Sequence, residues 1–306
     1  MKRTLLFVLA LAVIPVAVDA QNPSADAGAR PEQTPSLQAL EAMDTAYAAV
    51  DGFTMELKKK ELIRHPRRRR PRSRLRRGGD QYHTESGEVR FRKRRDEQGG
   101  DYLRDLYYDA GCIFGCPVKY REGIDVEINV NNRLLFKAPL PRSSRAMKDQ
   151  HHEITALDLG NTIQLVLANV RKGRDRNEIE WSTPVPEMID GHETLKIEVT
   201  LAQEEARVHR VREGETLWDI ADEYEQNMYV ILYNNPGLFE PTDVREGQTI
   251  NVPEYYGCRL VIWIDVVRSL PLKLEVYACD EKLYESYEYT ELDTSRVPEA
   301  ANFEGN

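Results

Sequence analysis

The chain has 306 residues, a formal net charge of −9, 30% charged residues and a mean hydropathy of −0.58. That length suits one or two domains and suffices for a real core. Beyond the N-terminus there is no second long apolar run, which excludes a protein that crosses a membrane on several helices.

The first elements concern export. Lys2 and Arg3 precede an apolar stretch from Leu5 to Val18, broken only at Pro15, and Val18-Asp19-Ala20 offers small residues where a signal peptidase reads. A signal peptide over residues 1–20 is expected, which places the protein in the periplasm or envelope of a bacterium. The apolar stretch, about 14 residues, is too short to span a bilayer. Residues 21–36 are small, polar and rich in proline, the composition of a flexible leader. Leu37 to Val50 predicts a short helix, with Leu37, Leu40, Met43, Tyr47 and Val50 near one face.

Phe53 to Ile63 alternates as a strand does, and a basic run follows, with 12 Lys or Arg between Lys58 and Arg77. Like charges repel, so this run predicts a solvated hairpin or loop first and a patch facing an anionic envelope surface second. Export argues against nucleic acid as its partner. Short strands are expected at Val89–Phe91, Leu103–Tyr108, Ile124–Val130 and Leu134–Phe136, with a tight turn at Asn131-Asn132. Ala156 to Val170 predicts an apolar helix, and Thr194–Leu201, Arg259–Val266, Leu272–Ala278 and Leu283–Tyr289 predict further strands, the last three as a meander. The fold class is therefore α+β: a curved antiparallel sheet with packed helices and a small inserted βααβ module.

Cys112, Cys116, Cys258 and Cys279 allow three pairings. The Cys112-x3-Cys116 spacing is a weak metal or redox signal with no histidine close by in sequence, so structural disulfides or buried thiols are favoured. If Arg268 and Ser269 centre the hairpin between Arg259–Val266 and Leu272–Ala278, Cys258 falls opposite Cys279, and a disulfide between them is expected. The six histidines show no spacing of a zinc protease or nuclease, adjacent His151 and His152 read as ordinary surface, and neither cofactor nor metal is expected.

Residues 208–253 carry the most specific pattern. A short strand, His209-Arg210-Val211, ends at Gly214. Thr216 can cap the next helix with Asp219 completing a capping box, and Leu217, Ile220, Ala221 and Tyr224 share one helical face. A second helix from Met228 to Asn234 stops at Asn235-Pro236-Gly237, and Gly247-Gln248 leads into a closing strand, Thr249–Val252. With Gly214-Glu215-Thr216-Leu217, Trp218-Asp219-Ile220-Ala221, Asn235-Pro236-Gly237-Leu238 and Ile250-Asn251-Val252-Pro253, this segment resembles the LysM domain family. It departs at Glu215, where the family usually has Asp. The resemblance implies binding of N-acetylglucosamine glycan, peptidoglycan above all, in a shallow groove. Gly214, Glu215, Thr216 and Leu217 would line one side, and Asn235, Pro236, Gly237 and Leu238 the other. The segment 201–254 holds 12 Asp or Glu against four Lys or Arg, which suits a neutral glycan better than a phosphate-rich polymer.

The module's first and last strands should pair, so its ends would lie together and the unit could sit in a loop of a discontinuous host, residues 37–203 and 254–292, followed by a flexible tail, 293–306. In that host, His152-Glu153-Ile154-Thr155, Gly160-Asn161, Trp263-Ile264-Asp265, Leu270-Pro271-Leu272 and Glu275-Val276-Tyr277 resemble an uncharacterised family of bacterial exported proteins with a lipoprotein-carrier (LolA-like) fold. That resemblance implies an apolar concave face able to hold an acyl chain or to serve as core. The functional expectation is a non-catalytic envelope protein docked on peptidoglycan. The alternatives are a wall-tethered lipid or lipoprotein carrier and a cell-wall hydrolase, although the sequence marks no hydrolase site.

Overall fold

A computed structural model describes residues 34–65, 79–95, 102–109, 118–122, 126–130, 133–138, 147, 150–202 and 206–303. The expected signal peptide, Cys112, Cys116, the turn at Asn131-Asn132 and the arginines from Arg67 to Arg77 lie outside these residues.

Helix α1 (Pro35–Ala48) begins where Thr34 Oγ1 accepts the Leu37 amide, with proline in the first turn, where no N–H is needed. The helix therefore starts inside the stretch expected as leader, and Ser36 is already buried, its hydroxyl donating to the Ser182 carbonyl at 2.6 Å. Strands β1 (Gly52–His65), β2 (Gly79–Arg95), β3 (Tyr102–Tyr108), β4 (Val118–Arg121), β5 (Val126–Val130) and β6 (Arg133–Ala138) follow. Helix α2 (Leu159–Arg176) is capped by Asp158, which accepts the Asn161 amide at 2.9 Å, and closed by Asn177 in the left-handed conformation at φ 58°. It starts later than the expected 156–170, because a 3-10 turn occupies Ile154–Ala156, and it ends later, at the Asn177 cap. Strands β7 (Ile179–Trp181), β8 (Val185–Ile189) and β9 (His192–Leu201) lead to a small unit of β10 (Arg207–Arg210), α3 (Leu217–Glu223), α4 (Met228–Asn234) and β11 (Thr249–Val252). Strands β12 (Arg259–Asp265), β13 (Pro271–Tyr277) and β14 (Leu283–Asp293) complete the chain order.

Among the described residues, twelve strands form one open antiparallel sheet in the order β6-β5-β4-β3-β2-β1-β14-β13-β12-β9-β7, with β8 paired to β9. Alternation along β1 sends Phe53, Met55 and Leu57 to the face that α1 and α2 cover, where they join Leu40, Met43, Ile163 and Leu167 in one core. The fold is α+β, as the patterning predicts.

Strands β9 and β12 pair directly, Arg259 opposite Thr200, and the Leu201 amide donates to the Cys258 carbonyl at 2.8 Å. The chain thus leaves the sheet at β9 and returns on the neighbouring strand. Between these points β10 and β11 pair only with each other, so the small unit begins and ends side by side and interrupts no ladder of the large sheet.

Four expectations need correction. The strand expected over Phe53–Ile63 is present as part of β1, but the start of the basic run that it carries is not all solvated: Lys59 is 2% exposed, paired with Glu85 at 2.9 Å. The charge is tolerated there because β2 sets Glu85 directly across the ladder from it. The tail is not free: Phe303 is buried beneath the Arg92 guanidinium, and Asn302 accepts from Arg90 at 2.6 Å. The third concerns the β12–β13 register, which is one residue away from that expected, Arg259 pairing with Tyr277. The turn is wider than two residues. Asp265 accepts the amides of Val267 and Arg268, Ser269 takes φ 53°, and a bulge lies between Trp263 and Ile264. Cys258 and Cys279 are nonetheless joined, with Cα atoms 5.0 Å apart, because Cys279 belongs to the turn after β13 and is free of strand alternation. The fourth is His151-His152, which is not ordinary surface: His151 is 2% exposed.

Candidate functional site

The small unit has its own core, in which Val211, Leu217, Ile220, Met228, Ile231, Leu238, Ile250 and Val252 pack together. Its helix starts are set by local chemistry. Thr216 Oγ1 accepts the Asp219 amide, and the Asp219 carboxylate accepts the Thr216 amide at 2.8 Å, so two otherwise orphaned donors are satisfied. Asn227 caps α4 through the Tyr229 amide at 2.8 Å. The loop before α3 and the loop after α4 meet where the Leu217 amide donates to the Pro241 carbonyl at 2.9 Å. Strand, capped helix, capped helix and strand, closed by that bridge, complete the geometry.

Residues 209–253 match the LysM domain family.

Within this LysM module the eight expected groove residues divide into two kinds. Five have side chains committed to the fold. Glu215 accepts from the Arg212 amide at 2.8 Å and meets His209 Nε2 at 2.9 Å. Thr216 caps, while Leu217 and Leu238 are buried in the module core and cannot offer an open apolar contact. Asn235, 8% exposed, donates to the carbonyls of Ile231 and Asn251, each at 2.7 Å, and accepts the Asn251 amide at 2.9 Å. Gly214, Pro236 and Gly237 are exposed. Gly214 and Gly237 hold φ of 73° and 106°, and a Cβ on either would meet open space, so the demand for glycine is conformational. What these eight residues present outward is therefore largely backbone.

No curated protein sequence matches the chain. Several solved structures are similar to it at low identity. In the complex of Pseudomonas aeruginosa MucA and MucB, the match has 11% identity and a TM-score of 0.37, covering 88% of this chain and 60% of that one. The chain therefore spans about 60% of the length of that relative. Lipoprotein LppX of Mycobacterium tuberculosis matches with 11% identity and a TM-score of 0.36, covering 86% of this chain and 98% of that one. A LolA superfamily protein of Nitrosomonas europaea matches with 9% identity and a TM-score of 0.25, covering 85% and 94%.

The LysM module is tied to the rest of the chain by specific contacts. Asn227 donates to the His151 carbonyl at 3.2 Å, Tyr229 to the Met147 carbonyl at 2.9 Å, and Arg64 of β1 to the Leu232 carbonyl at 3.2 Å. Glu254, just past β11, pairs with Arg207 at 2.7 Å, with Arg176 at 2.8 Å and with Lys172. A cleft of about 300 Å³ lies between the module and the host segment before α2, lined by His152, Thr155, Trp218, Gln226 and Asn227.

Beneath these contacts lies a buried polar cluster that sequence reasoning missed. Register sets Glu61 of β1 directly opposite Glu285 of β14, both on the core face, at 1% and 0% exposure. His151 Nδ1 and His152 Nε2 each lie 3.2 Å from Glu285 Oε2, and the Tyr256 hydroxyl donates to the same oxygen at 2.7 Å. Tyr287 donates to Glu61 Oε1. Burial pushes the Glu285 carboxyl up, but His152 and His151 outweigh it and bring it down to about 2. Burial likewise opposes Glu61, yet Lys59 and the two histidines hold it below the usual range. For His152, burial disfavours the charge, and Glu285 overrides it to raise the imidazole. The one available signal was period 2: Glu285 shares a strand face with Tyr287 and Tyr289, and Glu61 shares one with Met55 and Leu57. The pocket beside this cluster, lined by Leu57, Leu274, Glu285 and Tyr289 among others, is about 40 Å³. That is room for two or three waters.

Proposed function

We propose that this protein is a non-catalytic component of the bacterial envelope that attaches to peptidoglycan glycan through an inserted LysM module. The match of residues 209–253 carries the reading. In it, residues 37–203 and 254–292 make the host domain and 208–253 the glycan-binding insert. The exposed groups fit such a ligand. Backbone around Gly214, Glu215, Thr216 and Leu217 on one side, and Asn235, Pro236, Gly237 and Leu238 on the other, offers amide and carbonyl partners for acetamido groups. The buried members shape the groove and the glycines admit close approach. Names of the similar structures, lipoprotein LppX among them, agree with an envelope setting. No helix among the described residues is long and apolar enough to cross a membrane.

A shallow site of this size should bind with a dissociation constant of roughly micromolar to millimolar, or about −8 to −4 kcal/mol. Titration of the protein with soluble N-acetylglucosamine oligomers, followed by backbone amide shifts, should move Gly214, Gly237 and their neighbours and leave the host sheet still. Shifts confined to the host, or none with a folded module, would refute the reading. A zymogram on peptidoglycan should show no clearing.

A further inference from the structure

Two carboxylates face each other across the β1–β14 ladder in a buried core, an arrangement that is destabilising without a cation to hold it. Lys59, the nearest fixed cation, is shared: it pairs with Glu85 at 2.9 Å, donates to Gln150 at 3.0 Å and reaches Glu61 only at 3.9 Å, the longest of the three. We infer that Glu61, His151 and Glu285 form a binding site for a divalent transition-metal ion, zinc by their donor chemistry.

The geometry supports this on four counts. One ligand atom from each of the three residues lies within 4.8 Å of the others. His151 Nδ1 and Glu285 Oε2 are 3.2 Å apart. Two ligands on a tetrahedral zinc with bonds of about 2.0–2.1 Å are separated by about 3.3 Å. His151 Nε2 lies 3.1 Å from the Leu62 carbonyl, an acceptor only, so a metal-bound His151 would donate through Nε2 and turn the Nδ1 lone pair toward the carboxylates. A lone pair facing a carboxylate oxygen needs a cation between them, either a metal or a second proton.

The carboxylates are also half-used in the way ligands are. Tyr287 anchors Glu61 through Oε1 and leaves Oε2 buried without a hydrogen-bond partner. On Glu285 the oxygen that faces His151, Oε2, also accepts from Tyr256, while the other, Oε1, is buried without a hydrogen-bond partner. Buried carboxylate oxygens are rarely left so. The adjoining 40 Å³ pocket reaches Glu285 and has room for a water as fourth ligand. One imidazole and two carboxylates, without thiolate, suit zinc among the biological cations, and an imidazole ligand argues against magnesium or calcium. The ion would staple β1, β14 and the His151 segment into one piece, and Asn227 of the LysM module rests on that segment through the His151 carbonyl. The site does not depend on the glycan reading.

The test uses the full chain without a histidine tag, stripped with chelator, reloaded with zinc or cobalt(II) and dialysed. One zinc per chain by elemental analysis and the intense visible bands of four-coordinate cobalt are expected. Glu285→Gln, which keeps size and hydrogen bonding, should lose both, and His209→Gln, at the other buried histidine–glutamate pair, should lose neither. Folded wild type that takes up neither ion would overturn the proposal, as would a folded Glu285→Gln chain that keeps its zinc. Should Glu285→Gln not fold, Glu61→Gln takes its place, and the cobalt spectrum of wild type alone still decides whether a four-coordinate nitrogen–oxygen site exists.

Discussion

Replacing Asn235 with alanine separates scaffold from contact surface in the LysM module. The side chain makes three hydrogen bonds, to Ile231, to the Asn251 carbonyl and from the Asn251 amide, and so ties the end of α4 to β11. At about 0.5–1.5 kcal/mol each, their loss should destabilise the module by roughly 1.5–4.5 kcal/mol. That corresponds to about a tenfold to thousandfold increase in local opening. Hydrogen exchange read by mass spectrometry should show lost protection in peptides covering 228–234 and 249–252, with the host strands β12–β14 unchanged. Glycan affinity should be preserved at temperatures where the module stays closed, because the buried amide touches scaffold and not ligand. Unchanged exchange at Asn251, or a loss of affinity with protection intact, would refute this division of roles.

Three further outcomes follow from the same structure. Leu217→Ala, at a site with no exposure, should cost about 2–5 kcal/mol and show as earlier melting of the module by hydrogen exchange. Cys258→Ser opens a link between residues 21 apart in sequence. The loop-closure relation puts its loss at about 3 kcal/mol, and urea unfolding of the variant should shift to lower denaturant by a corresponding amount. At Glu254, burial raises the carboxyl, but Lys172, Arg207 and Arg176 prevail and hold it below its usual 4.5. The unfolded chain therefore takes up this proton first, so the stabilisation is full above about pH 4.5 and fades as pH falls toward the lower folded value. The melting difference between wild type and Glu254→Gln should shrink across that window, and a difference constant into acid would count against the ion-pair account.

Much of the module was legible because its signals are local. Thr216 with Asp219, Asn235-Pro236-Gly237 and the spacing of Leu217, Ile220 and Ala221 act within a turn or two of chain, so the helix starts and stops follow from the residues themselves. Strand β2 was seen only at Val89–Phe91, since from Asp80 to Ser86 its residues are polar on both faces and give no alternation. Strand β8 was missed for a different reason: its five residues include Pro186, show no alternation, and are mostly exposed, held only by β9. The histidine cluster was hidden by distance: Glu61, His151 and Glu285 are assembled by the β1–β14 register and by the segment before α2, and no short stretch of sequence contains the set. The hairpin register failed by one residue because a bulge and a wide turn at Asp265–Leu270 have no distinctive residues to announce them.

The central claim is attachment to peptidoglycan through the module, and co-sedimentation with purified insoluble sacculi tests it most directly. The chain should pellet with the sacculi, and a chain lacking residues 208–253 should stay in the supernatant while retaining the circular dichroism of the large sheet. Deletion should leave a folded host because β9 and β12 already pair beside the insertion point. Equal pelleting of the two chains would contradict the account.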